Sequence, residues 1–268
     1  MVRQAGNSGI LCNATLLRML ITQEDCFSLP KIRLKGFPDV KMLLGSELIE
    51  TISECYEHAG MDETIIVCRS NKRANLYNKG IRSTILYRED ELNAGDVLMV
   101  AKNNYFWGKD CKELDFIANG DVAVVRRVRK VREMYGFRFA DVLLEFPDYQ
   151  GLELEAKILL DTLHSDAPAL TREQNEQLFS NVIEDYADVS VKRERMKKMK
   201  EDPYYNALQV KYAYAVTCHK AQGGQWKRVF IDQGYLSEEM ISPDYYRWLY
   251  TAFTRATERL YLVNWPEK

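Results

Sequence analysis

Between Thr217 and Trp226 the chain reads TCHKAQGGQW, set between two apolar runs, Tyr212–Val216 and Arg228–Ile231. Gly223 and Gly224 supply the turn that two flanking strands need. A turn does not require His219, Lys220, Gln222 and Gln225 at such density. Hydrogen-bonding side chains beside glycines suit a backbone pressed against a polar ligand. His219 and Gln222 can bond a phosphate or sugar, Lys220 adds a point charge, and Gly223 lets the main chain come close. Further on, YTAFTRA places Arg255 among small and apolar residues, at what reads as a helical position. Its guanidinium is either a surface charge on an amphipathic helix or a rigid fork held for a phosphate. Cys218 beside His219 evokes a nucleophile and its base. Neighbours on one extended segment point to opposite sides, which argues against that pair.

These residues need a scaffold, and the pattern upstream supplies one. GILCNATLLRMLI repeats apolar residues at helical spacing behind Asn7 or Ser8 as cap, and DVKMLLG reads as a strand. SELIETISECYEHAG is a helix with Ser46 as cap and Gly60 at its end. ETIIVC lacks polar alternation, as in a parallel strand buried on both faces, and Ser70 and Asn71 then open another helix. Strand and helix alternate, so residues 1–92 are expected to be α/β. From 93 to 205 the rhythm changes to short β runs, GDVLMVAKN, GDVAVVRRVRKV and FRFADVLLEF, with Asn119-Gly120 as a turn, followed by a charged helical segment. A small barrel inserted in the α/β domain is expected there. Residues 206–268 return to α/β, with a strand at 211–217, one at 228–232, a helix from Ser242-Pro243 to about Thr257, and a closing strand RLYLVNW.

Composition narrows the class. The chain has 268 residues, 46% hydrophobic and 28% charged, with a formal net charge of −2. That balance excludes a passive basic coat for nucleic acid but allows a local positive groove. Two basic runs stand out, RRVRKVR at Arg126–Arg132 and VKRERMKKMK at Val191–Lys200, the second reading as a solvated helix face. The six cysteines include no C-x-x-C pair and the three histidines are scattered, so no metal site is expected. No leader and no apolar run of membrane-spanning length is read, and a cytoplasmic chain with reduced thiols is expected. In NNYFWGKD, Asn103–Asp110, three aromatics stand beside a lysine. Packing within the insert's own core is the favoured reading, with base stacking as the other.

T-x-H-x-x-Q-G-x-Q followed by Y-T-A-x-T-R-A resembles the last two motifs of superfamily 1 DNA helicases, in the RecD, TraA and Dda-like branch. VRQAGNS at the start and IIVCRSNKRANLYNKGIR add to the likeness, which covers most of the chain. The resemblance implies a second RecA-like domain with an inserted SH3-like barrel. It implies ATP in a cleft between two RecA-like domains and single-stranded DNA across both. It matches Arg3 and Arg255 to two arginines that reach the γ-phosphate, and Gly223 and Gln225 to nucleotide contacts. It matches Ser70, Asn71, Thr217, His219, Lys220 and Gln222 to the DNA strand. Gln225 stands where many relatives carry a glutamate, so one charge near the ribose is lost. Thr257 stands where relatives often carry a basic residue.

The chain contains no G-x-x-x-x-G-K-[ST], and no apolar strand ends in Asp-Glu. The phosphate-cradling loop and the acid that holds Mg²⁺ are therefore expected on the first RecA-like domain of the same protein, upstream of Met1. The resulting expectation is the C-terminal part of an ATP-dependent DNA helicase, inactive by itself, with a role in repair or recombination. The alternative is a nucleic-acid-binding module or helicase subunit that completes a partner's site.

Overall fold

A computed structural model describes residues 8–109, 111 and 114–266. The chain divides into two compact units, residues 1–87 with 214–268, and residues 88–213. The elements run α1 (Gly9–Thr22), β1 (Val40–Leu43), α2 (Leu48–Ala59), β2 (Thr64–Cys68), α3 (Asn71–Gly80), β3 (Val97–Val100), β4 (Val122–Met134), β5 (Phe137–Phe146) and β6 (Leu152–Leu159). They continue as α4 (Asp161–His164), α5 (Arg172–Glu184), α6 (Lys192–Lys200), β7 (Leu208–Tyr212), β8 (Ala215–Thr217), β9 (Trp226–Asp232), α7 (Pro243–Phe253) and β10 (Ala256–Val263).

The first unit is built on a five-stranded sheet in the order β1-β10-β9-β2-β8. Every pairing in it is parallel. All five residues of β2 are buried, which is why TIIVC shows no alternation. Helices α1 and α7 pack on each other and on β10, while α2 and α3 pack on β2. Inside, Phe230 stacks on Tyr261 with ring centroids 4.5 Å apart. The α/β class expected from the sequence is present, as a five-stranded parallel sheet flanked by helices.

Two caps fix the starts of α3 and α1. Ser70 Oγ accepts the Arg73 N–H at 3.2 Å and starts α3. Asp39, just before β1, accepts the N–H groups of Gly9 and Ile10 at 3.0 and 3.2 Å and the Ser8 hydroxyl at 2.7 Å. That carboxylate neutralises donors at the positive end of α1. Asp39→Ala is expected to destabilise the first unit by about 1–2 kcal/mol, read as a lowered urea midpoint. Ser46 does not cap α2. A short 3₁₀ turn, Gly45–Glu47, precedes the helix, and the Glu47 carboxylate takes the Leu44 N–H instead.

The second unit holds a closed barrel, β3-β4-β5-β6-β7. Leu178 and Val182 of α5 and Met199 of α6 pack on Phe137, Phe139 and Leu159 of the barrel. Apart from Met199, α6 is solvated. Gly120, at φ 106°, turns the chain into β4. The basic run of β4 carries two bulges, and Arg126 and Arg129 pair with Glu145 and Glu155 of β5 and β6. Its positive charge is thus partly answered within the barrel.

The final barrel strand lies where the sequence suggests the α/β domain has resumed. β7 pairs with β3 and β6 inside the barrel, and β8 pairs with β2 in the parallel sheet. Only Ala213 and Tyr214 separate the two strands. The segment from Leu208 to Val216 therefore changes sheets at a two-residue joint, with no glycine or proline to mark it.

Candidate functional site

In a parallel sheet every strand ends on the same edge, and loops beyond the carboxyl ends are the usual ligand crevice. β2 and β8 end side by side, with Cys68 opposite Thr217 and the Cys218 N–H bonded to the Cys68 carbonyl at 3.2 Å. This adjacency brings Ser70 and Asn71, at the start of α3, to the same edge as Thr217. The chain then closes a helical turn. Lys220 and Ala221 both donate their N–H to the Thr217 carbonyl, at 2.9 and 3.1 Å. His219 and Gln222 are exposed on this turn and Lys220 is half-buried. Burial pushes the Lys220 pKa down, because a desolvated ammonium is disfavoured.

The loop does not stay at that edge. β9 begins at Trp226, so residues 218–225 run from the carboxyl edge of β8 to the amino edge of β9. Gly223 adopts φ 91° with open space around it, the left-handed conformation that the turn requires. Gly224 is glycine for a different reason: a Cβ there would overlap the Trp226 ring. Gln225 is exposed beside it.

Arg255 meets the loop at the amino edge. It does not lie within a helix as its sequence context suggests. α7 ends at Phe253, and Arg255 sits in the turn before β10. The chain leaves the helix there because Trp226 donates its N–H to the Arg255 carbonyl at 2.9 Å, drawing the next residues into strand pairing. The guanidinium is held on every side. Nη1 donates to the carbonyls of Gly224 at 2.9 Å and Ala221 at 3.4 Å, Nε to Thr251 at 3.1 Å, and Nη2 to Thr254 Oγ1 at 3.1 Å. These bonds fix the pose of the guanidinium against the loop. Thr257 Oγ1 donates to the Trp226 carbonyl at 3.1 Å and so braces the same joint.

The candidate residues thus fall into two groups joined by one loop. Ser70, Asn71, Thr217, His219, Lys220 and Gln222 lie toward the carboxyl edge; Gly223, Gln225 and Arg255 lie toward the amino edge. Arg3 lies outside the described residues. Cys218 is buried, and burial pushes its thiol up to about 11, so it is protonated and inert at neutral pH. The residues assigned to nucleotide include no carboxylate and do not fit a Mg²⁺ site, which takes oxygen ligands. Among the described residues no group of three or more His, Cys, Asp or Glu could hold a metal ion. No described helix is long and apolar enough to cross a membrane.

Three supports escape a reading of the sequence. Asn78 of α3 is buried; its amide donates to the Ala215 carbonyl at 2.9 Å and accepts the Ala215 N–H at 2.8 Å, bracing β8. Arg73 bonds Asp232 at the end of β9, Nε to Oδ2 at 2.8 Å, and Gly234 donates its N–H to the other carboxylate oxygen. Arg69 lies over the Tyr245 ring at 5.6 Å and near Trp248 at 6.0 Å. Each partner is far away in sequence, so no local spacing signals it.

Residues 212–263 match the family model of the UvrD-like helicase C-terminal domain. That span contains the whole loop, α7 and the turn bearing Arg255. An uncharacterized protein of Acanthamoeba polyphaga mimivirus is 23% identical, with 73% of this chain and 47% of that protein covered. Among solved structures, Pif1 helicase from Bacteroides in complex with ADP-AlF3 and ssDNA is 12% identical with a TM-score of 0.47, covering 99% of this chain and 51% of its own. Pif1 helicase from Candida albicans is 12% identical with a TM-score of 0.42, covering 94% and 53%. The chain spans about half the length of these relatives.

Proposed function

We propose, from the match of residues 212–263 to the UvrD-like helicase C-terminal domain, that the chain forms the second RecA-like half of an ATP-dependent DNA helicase. Arg255 and Arg3 present positive charge to the γ-phosphate, and Gly223 and Gln225 line the nucleotide. A first RecA-like domain supplies the phosphate-cradling loop and holds Mg²⁺. Ser70, Asn71, Thr217, His219, Lys220 and Gln222 contact single-stranded DNA. Two cationic forks suit phosphoryl transfer, where catalysis is chiefly positioning and charge stabilisation.

The observation that carries this reading is the loop itself. It runs from the strand-contacting residues at one edge of the sheet to the clamped guanidinium at the other. Arg255 holds the Ala221 and Gly224 carbonyls, so a change at the nucleotide is transmitted to the turn that bears Lys220. The loop thereby links ATP to the strand mechanically.

The test is binding of a fluorescent oligo-dT by the pure chain across a salt series. The affinity is expected to fall steeply with salt, and Lys220→Ala is expected to flatten the slope by about 0.7. A slope that Lys220→Ala leaves unchanged would remove the lysine from the interface. The affinity should also depend on pH. Burial lowers the Lys220 pKa in the free chain, and a phosphate favours the ammonium, so binding takes up a proton as pH rises through the lowered value. Loss of affinity is expected to begin below the ~10.4 of a solvated lysine, and Lys220→Arg, which stays charged, should remove it.

A further inference from the structure

In the aromatic stretch Asn103–Lys109, Phe106 and Trp107 are partly buried and meet edge to face, but Tyr105 is not core. Tyr105 is 66% exposed, and its ring stacks on Phe116 at 5.0 Å, leaving its other face to solvent. The stretch forms one wall of a cavity of about 410 Å³ within the second unit, the size of a small-molecule site. Lys102, Tyr105 and Lys109 line it from the loop, Lys200 from the end of α6, and Tyr205 and Asn206 from the segment after it.

The frame of this cavity is bonded in the absence of any ligand. Asn104 Oδ1 accepts the N–H groups of Phe106 and Trp107 at 3.0 and 3.1 Å. Asn104 Nδ2 and Trp107 Nε1 both donate to the Asn206 carbonyl at 2.8 Å. These bonds pin the aromatic loop to the segment after α6. The cavity offers an open aromatic face and positive charge beside polar amide groups. Its lining holds three lysines against one carboxylate, Glu201. Lys109 lies over the Phe106 ring at 4.6 Å.

We propose that this cavity binds one nucleotide unit of a single strand, with its base on the open face of Tyr105 and its phosphates among Lys102, Lys109 and Lys200. A flat ring with flexible point charges accepts any base, because every base has a π-face and lysine imposes no planar geometry. This rests on the reading of the chain as a strand-binding helicase part, and it adds a second foothold separate from Thr217–Gln222.

The test uses the whole chain and a ten-nucleotide oligo-dT carrying 5-bromodeoxyuridine, with photo-crosslinking followed by peptide mapping. Fluorescence anisotropy runs in parallel on Tyr105→Ala, Tyr105→Phe, Lys102→Ala with Lys200→Ala, and Lys220→Ala. A crosslink at Tyr105 is expected. Tyr105→Ala should weaken binding about five-fold or more, and Tyr105→Phe, which keeps the ring, should restore it. The double lysine variant should flatten the salt slope by about 1.4, at about 0.7 per phosphate contact. Crosslinks confined to residues 217–225, with Tyr105→Ala unchanged, would overturn the cavity site and leave the proposed function standing. Thymidine 5′-phosphate competing as well as the ten-mer would assign the cavity to a free nucleotide and overturn the strand proposal. Absence of strand binding at low salt would overturn both.

Discussion

In a motor assembled from this chain and its first RecA-like domain, Arg255→Ala is expected to lower ATP turnover by about 10³–10⁵-fold, the range for removing an arginine that stabilises a transferring phosphoryl group. Arg255→Lys should not restore it. The guanidinium donates at once to Gly224, Ala221, Thr251 and Thr254, and an ammonium cannot hold that fork while presenting charge to a phosphate. Single-turnover hydrolysis at saturating nucleotide and strand separates chemistry from binding. A loss confined to KM would mean that Arg255 only steadies the loop. A loss in the chemical step, with strand affinity changed far less, is the expected outcome.

Asn78→Ala is expected to cost about 2–4 kcal/mol, since it leaves the buried N–H and C=O of Ala215 unpaired at about 1–2 kcal/mol each. β8 is the edge strand of the parallel sheet, and the Asn78 amide occupies its backbone groups much as a further strand would. The effect should reach function as well. Thr217 ends β8, so a loosened strand misplaces the turn that carries His219 and Lys220. Urea unfolding should show a lowered midpoint, and oligo-dT affinity should fall with it. Asn78→Asp is expected to cost at least as much as Asn78→Ala at neutral pH, because it sets a buried carboxylate against the Ala215 carbonyl.

Strongly local signals were legible in the sequence. TIIVC reads as a doubly buried strand because it is apolar at every position, and it is one. Ser70 and Ser242 read as helix caps because their hydroxyls can accept an N–H three residues on, and both do. The α/β class, the inserted barrel and the density of polar residues in Thr217–Gln225 follow from such patterns. Signals that depend on distant partners were not legible. Arg255 continues a helical pattern in YTAFTRATERL, but backbone pairing with Trp226 ends the helix before it. The change of sheet at Ala213–Tyr214 is invisible because no glycine, proline or polar residue lies between Tyr212 and Val216. Tyr105 sits in an aromatic cluster that resembles core, yet it is exposed because the cavity beside it is left open.

The reading as half of a motor is tested most directly by steady-state ATP hydrolysis of the pure 268-residue chain, with Mg²⁺ and saturating oligo-dT present. No turnover above a protein-free blank is expected, because the sequence contains no G-x-x-x-x-G-K-[ST] loop to cradle the phosphates. Turnover that co-purifies with the chain and disappears in Arg255→Ala would contradict it, since the chain would then hold a complete ATP site of its own.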